Sequence, residues 1–136
     1  MSVSNKKYQY SAIVIVIVAL SVLASCGKAP AKRAKYKPYK EVGVASWYGW
    51  RMKGMRTANG EKYNPKDMTA AHRTLAFNTI VKVTNLENGN TCEVRINDRG
   101  PAKWTHRLID LSKAAAEKLG YIKKGVAKVR VESVRY

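Results

Sequence analysis

Ile80-Val-Lys-Val-Thr-Asn-Leu86, Glu87-Asn88-Gly89-Asn90 and Thr91-Cys-Glu-Val-Arg-Ile-Asn97 form the stretch on which the fold turns. In its second run Cys92, Val94 and Ile96 fall on one face of an extended chain, and Glu93, Arg95 and Asn97 on the other. A period of two with one apolar face marks a strand that covers a core on one side. Asn88-Gly89 lies between the runs, and both residue types tolerate positive φ, so the two strands read as a hairpin.

Working outward, Glu41–Tyr48 is apolar and aromatic at its centre, Met68–His72 is a short strand, and Ala127–Val134 alternates Ala127, Val129 and Val131 against Lys128, Arg130 and Glu132. A glycine- and arginine-rich loop runs from Gly49 to Tyr63. One helix is expected over Lys113–Leu119, rich in alanine, with Ser112 or Asp110 to cap it and Gly120 to end it. Short strands with a single helix predict a mainly β domain closed into a small barrel.

The N-terminal part is of another kind. Lys6 and Lys7 precede an apolar run, Ala12 to Leu23, broken only by Ser21. The run is shorter than the ~20 residues of a spanning helix, and the order of basic head, apolar stretch and small residues is that of an exported leader. Leu23-Ala24-Ser25-Cys26 resembles the lipobox of bacterial lipoproteins, which implies cleavage before Cys26 and lipidation of its thiol. Residues 27–40 carry Lys28, Lys32, Arg33, Lys35, Lys37 and Lys40, two prolines and no acid, a composition that stays solvated as a disordered linker. The division expected is a signal peptide over 1–25, the lipidated cysteine and basic linker over 26–40, and one domain over 41–136.

The formal charge is +17, from 26 basic and 9 acidic residues. An excess of this size raises nucleic acid as a partner, and the exported location argues against it. The remaining polyanions are those of the envelope: carboxylate-bearing wall strands, phosphate-bearing polymers and the membrane surface that holds the lipid. With Cys26 committed to lipid, Cys92 has no intramolecular partner, and its alternating context reads as a small buried residue. His72 and His106 are the only histidines and lack ligand-spaced companions, so neither a metal nor a cofactor is expected.

Several segments occur in a recognisable order: Gly43-Val-Ala-Ser-Trp-Tyr-Gly49, Thr57-Ala-Asn-Gly-Glu61, Thr69-Ala-Ala-His-Arg-Thr-Leu75, Val83-Thr-Asn-Leu86, Ile96-Asn-Asp-Arg-Gly-Pro101, Ile109-Asp-Leu-Ser112 and Ala114-Ala-Ala116. Together they resemble the barrel domain of the rare lipoprotein A family of septal lytic transglycosylases. The resemblance implies a six-stranded double-psi β-barrel. It also implies cleavage of peptidoglycan glycan strands, preferentially peptide-free ones, to 1,6-anhydromuramic products, at a lipid-anchored site in the cell envelope. In a Gram-negative cell that site is the periplasmic face of the outer membrane, where cell-division or wall-synthesis proteins could be partners. Many members continue into a C-terminal peptidoglycan-binding SPOR domain, whereas this sequence stops at Tyr136, so septal targeting by that route is not expected. Where the family has proline and glycine around Phe77, Ala76 and Asn78 stand here, and asparagine tolerates the left-handed conformation a glycine would supply.

Breaking a glycosidic bond needs a proton for the leaving oxygen and negative charge near a developing oxocarbenium ion, and carboxylates serve both needs. Asp98 follows the strand that buries Cys92, Val94 and Ile96 and opens the loop Asp98-Arg99-Gly100-Pro101. On pattern alone it reads as a turn aspartate bonded to nearby amides or paired with Arg99 rather than as an acid. Glu61 alone reads as a solvated loop charge, and His72 as either a core or a functional histidine. The resemblance implies Asp98 as the acid, Glu61 as its partner and His72 as support. Tyr48 is a candidate to stack on a sugar ring, and Asn59, Arg73, Asn97 and Arg99 to bind hydroxyls or the lactyl carboxylate. Two rival activities share these residues: an expansin-like module that binds and loosens the wall without catalysis, and a hydrolase.

Overall fold

The computed structural model describes residues 38–135; the predicted signal peptide, Cys26 and nearly all of the linker lie outside them. Six strands, β1 Lys40–Trp47, β2 Thr69–His72, β3 Ile80–Asn85, β4 Thr91–Asp98, β5 Ile109–Leu111 and β6 Ala127–Arg135, close a barrel in the order β1-β5-β2-β4-β3-β6. β1 runs parallel to β5 and β2 parallel to β4, while the other neighbours are antiparallel. The strand pattern predicts a small closed barrel and the family resemblance implies a six-stranded double-psi one; the structure has that architecture.

The alternation seen in the sequence builds the interior. Val81, Val83, Cys92, Val94, Ile96, Ala127, Val129 and Val131 are all buried, and Cys92 is a free thiol among them, its pKa pushed up to about 11 by burial. β2 and β5 differ from the rest. They are buried on both faces, as parallel-paired strands generally are, so no polar alternation marks them. For that reason the sequence Ile109-Asp-Leu111 carries no strand signal of its own, although it forms the barrel wall between β1 and β2.

The helix α1, Lys113–Leu119, has the expected bounds. Ser112 accepts from the Ala115 amide at its N-terminus, and Gly120 closes it at φ 77°. Asp110 does not cap it. It lies inside β5, accepts from the Ser46 hydroxyl at 2.5 Å and pairs with Arg107 at 3.4 Å, and so ties β1 to β5. Ala115, Ala116 and Leu119 face the barrel, and the Leu119 carbonyl accepts from Asn85 at 3.0 Å and Asn88 at 2.9 Å.

The β3–β4 hairpin forms as expected, but only Gly89 of the Asn88-Gly89 pair takes positive φ, at 78°. The loop is longer than a two-residue turn: Asn85 and Asn90 are bonded at 2.8 Å, and the Asn85 carbonyl also accepts from Gly89. Asn78 does adopt the left-handed conformation, at φ 68°, so asparagine serves the turn where the family places glycine.

Gly43 marks the closest approach in the barrel wall. A Cβ there would lie 2.6 Å from the Leu108 Cβ and 3.1 Å from its Cδ2. Overpacking of this kind costs about 1–3 kcal/mol. Gly43→Ala is therefore expected to lower the free energy of unfolding by that amount in urea titration, with the barrel otherwise retained.

Candidate functional site

β4 ends in an irregularity that places the site. Ala70 pairs with Ile96 and Ala71 with Asp98, so Asn97 is the extra residue of a bulge. Strict alternation would send Asn97 and Asp98 to opposite faces. The bulge releases them, and both side chains meet the same loop, Thr57–Glu61. The Ala58 amide donates to Asp98 Oδ1 at 2.9 Å, the Asn59 amide donates to the Asn97 carbonyl at 3.2 Å, and Asn97 Nδ2 donates to Glu61 Oε2 at 3.1 Å.

That loop is the tip of a narrow hairpin. Gly54 and Tyr63 exchange backbone bonds with their neighbours (Gly54 N to Tyr63 O, 2.9 Å; Tyr63 N to Met55 O, 2.8 Å), and Thr57 N reaches Glu61 O at 2.8 Å. Asn59 braces the turn from within. Its Oδ1 accepts from the Thr57 hydroxyl at 2.7 Å and the Glu61 amide at 3.1 Å, so this side chain positions the loop.

The two carboxylates have different surroundings. Asp98 Oδ1 is held by the Ala58 and Arg99 amides at 2.9 and 2.8 Å. Its Oδ2 has one partner among the described residues, the Tyr48 hydroxyl at 3.4 Å. Asp98 lies in a cleft with Tyr48, Met52, Met55, Arg56, Thr57 and Tyr63. Tyr48 is kept protonated by burial and by the adjacent Asp98 charge, so it can only donate to Oδ2. Glu61 is gripped bidentately by Arg95, 2.9 Å to each oxygen. Those bonds, with Asn97 and Asn59, pull its pKa down to about 2, so it stays ionised at every physiological pH.

The His72 ring bonds groups other than the two carboxylates. It is 3% exposed. Its Nδ1 accepts from the Thr74 and Leu75 amides at 3.2 and 3.1 Å, which leaves the proton on Nε2. Nε2 faces the Tyr39 hydroxyl at 3.0 Å, and Tyr39 donates to Glu41 at 2.6 Å. The ring thus pins the start of β1 to β2. Only its carbonyl turns toward the site, where it accepts from Arg99 Nη1 at 3.2 Å.

The two arginines expected to bind substrate are also anchored. Arg99 lies 3.9 Å from the Phe77 ring centroid, and Arg73 Nη1 bonds the Arg107 and Pro101 carbonyls, at 2.5 and 3.4 Å, bracing the loop that follows Asp98. Asp98, Glu61, Tyr48, Asn59 and Asn97 are therefore brought together, while His72, Arg73 and Arg99 form a supporting shelf beside them. Arg95, Ala58 and Tyr39 were not foreseen. Arg95 could have been suspected from its place on the outer face beside Asn97, but Ala58 acts through its backbone and leaves no side-chain signal. Among the described residues no cluster of three or more His, Cys, Asp or Glu could hold a metal ion.

The closed barrel thus presents an amide-anchored aspartate at a strand end and, on the facing loop, a glutamate that Arg95 holds ionised. The model of one family, described as lytic transglycolase, matches residues 40–131. The endolytic peptidoglycan transglycosylase RlpA of Pseudomonas aeruginosa is 54% identical over 98 residues, covering 72% of this chain and 28% of that protein. Its namesake from Neisseria meningitidis is 44% identical over 108 residues, covering 79% and 45%. An expansin of Clavibacter michiganensis, solved as a mutant in complex with cellohexaose, shares the fold at a TM-score of 0.56 and 20% identity, covering 71% of this chain and 51% of that one. This chain belongs to the rare lipoprotein A family, and it spans less than half the length of these two curated relatives.

Two outcomes follow from the charge environment. Burial, with Arg73 and Arg99 nearby, lowers the His72 pKa to about 4 from an ordinary 6.5, against the opposing pull of Glu41. Between those values the unfolded chain binds a proton that the folded one excludes. Stability is therefore full above pH 6.5 and falls as pH drops toward 4, by on the order of 2–3 kcal/mol. Urea titrations across that window should show the fall, with the imidazole NMR titration centred near pH 4. Replacing the pairing guanidinium, Arg95→Met, should let the Glu61 carboxyl rise from about 2 toward its ordinary 4.5, read by carboxyl-carbon NMR.

Proposed function

We propose that this chain is a lytic transglycosylase that cuts the glycan strands of peptidoglycan, with Asp98 as the proton-transfer group. The observation that carries the reading is the unequal treatment of the Asp98 oxygens: Oδ1 is fixed by two amides, while Oδ2, touched only by Tyr48 among the described residues, belongs to a cleft. The 54% identical relative is named as an endolytic peptidoglycan transglycosylase, which supports the same substrate here.

In this mechanism the reacting species is Asp98 in its protonated form: Oδ2 delivers the proton to the glycosidic oxygen as the bond from C1 of N-acetylmuramic acid to that oxygen breaks. The sugar's own C6 hydroxyl then bonds C1 and returns its proton to Oδ2, so no water is consumed. Once that proton has left, Tyr48 steadies the carboxylate by donating to Oδ2 until the C6 proton arrives. Glu61, always ionised, supplies fixed negative charge toward the developing oxocarbenium ion, and its low pKa makes it a poor proton acceptor. Asn59 and Asn97 hold the loop that carries Glu61, and Arg73, Arg99 and His72 hold the shelf behind Asp98. The leader, Cys26 and the basic linker would tether the domain to an envelope membrane within reach of the wall.

One observation favours a second reading, a binding module without catalysis: both Glu61 oxygens are already engaged. Incubating the detergent-solubilised full chain with peptide-stripped sacculi separates the possibilities. New 1,6-anhydromuramic ends are expected, at a rate lowered about 10²–10⁴-fold in Asp98→Asn, with sacculus binding retained. New reducing ends would indicate a hydrolase. Binding without any cut, unchanged in Asp98→Asn, would establish the second reading.

A further inference from the structure

The wall of the cleft opposite Asp98 is apolar, which the chemistry above does not use. Met52, Met55 and Tyr63 line it together with Tyr48. Met52 is 37% and Met55 53% exposed, so two flexible apolar side chains stand partly uncovered at the mouth of a polar site. They are not on a loose loop. The Met52 amide bonds the Gly49 carbonyl at 3.2 Å, and Met55 is tied to Met52 at 3.0 Å and to Tyr63 at 2.8 Å. Tyr63 is fixed in turn by its hydroxyl on the Tyr48 carbonyl at 3.0 Å and by edge-on packing against the Tyr48 ring, with centroids 5.5 Å apart. The wall is built and braced, and exposed apolar surface of this kind in a cleft calls for an apolar occupant.

Apart from the C–H faces of its rings, which suit an aromatic side chain, a peptide-free glycan strand offers little that is apolar. Its hydroxyls, carboxylates and ring oxygens are polar, and within one sugar of the bond being cut the exposed methyl groups are those of the 2-acetamido and 3-lactyl substituents. The acetamido group recurs on every sugar and lies beside the glycosidic bond that Asp98 must reach. Methionine suits such a ligand, because its unbranched, polarisable thioether conforms to a small methyl group.

We infer that Met52, Met55 and Tyr63 form a subsite for the acetamido methyl group of the sugar bound at Asp98, so that the chain selects N-acetylated strands. The inference rests on the glycan reading of the same site. Loss of one methyl group from an apolar pocket lowers kcat/KM by about tenfold or somewhat more.

The test compares peptide-free strands carrying N-acetyl groups with the same strands converted to N-formyl, which removes only the methyl group and keeps a neutral amide. Both cleavage rate and equilibrium binding to the full chain are measured. Wild type should bind and cut the acetyl strands about tenfold better, and in Met52→Ser/Met55→Ser, shown folded by circular dichroism, the ratio should fall toward one. Equal handling of both strands by wild type, or a ratio that survives in the double variant, overturns the inference. If no strand is cut, the catalytic reading fails, and the binding ratio still decides the subsite. If neither strand is bound, the subsite fails with it.

Discussion

A carboxylate at the end of a strand is free to swing unless something holds one of its oxygens, and here the holding is done by backbone. The Ala58 amide comes from the tip of a hairpin forty residues earlier in the chain, and it meets Asp98 Oδ1 alongside the Arg99 amide. Charge-assisted bonds of this type are shorter and stronger than neutral ones. Their greater value here is geometric, because they fix the carboxyl plane and leave its second oxygen pointed at one place. The rest of the site is arranged to keep that contact: Asn59 stiffens the tip, Asn97 joins it to Glu61, and the bulge lets two consecutive residues of β4 serve the same loop.

The barrel supplies the rigidity that the loop lacks. Closure removes edges, and β2, which pairs with the end of β4 that carries Asp98, and β5 beyond it are buried on both faces. Polar ties inside the wall are placed where strands would otherwise slide. Ser46 and Asp110 lock β1 to β5, and His72 with Tyr39 and Glu41 locks the start of β1 to β2. His72 shows how burial and a nearby cation can turn a titratable ring into a fixed structural part. Kept neutral by desolvation and Arg73, it has no proton to lend near neutral pH.

The elements legible in the sequence were those set by local chemistry. Alternation marked β3, β4 and β6, and Ser112 with Gly120 bracketed α1, because capping and period-two burial act over a few residues. Asn78 could be read as a glycine substitute for the same reason. Features set by distant partners were not legible. The three residues of β5 carry no period. The pairing of Arg95 with Glu61 spans 34 residues. The bulge that re-aims Asp98 depends on how β2 meets β4, and Asn97, which alternation puts on the solvent face, is 4% exposed because the 57–61 hairpin lies over it. Asp110 misled for a related reason: an acid just before a helix resembles a cap, whereas its actual partners come from β1 and from Arg107.

The distribution of charge adds a last constraint on the proposed chemistry. A chain with 26 basic and 9 acidic residues attracts a polyanionic strand through its net charge, and attraction of that kind alone cannot put a glycosidic bond over Asp98. Around the cleft the arginines are restrained: Arg95 is committed to Glu61, Arg73 and Arg99 to backbone carbonyls, and Arg56 to the Gly60 carbonyl at 2.8 Å. Each keeps its charge while losing the freedom to wrap a carboxylate of the strand. On the proposed reading the surface excess then serves to gather and hold the polymer. The registry of individual sugars is left to short-range contacts within the cleft, where shape and the few apolar groups of the strand distinguish one position from the next.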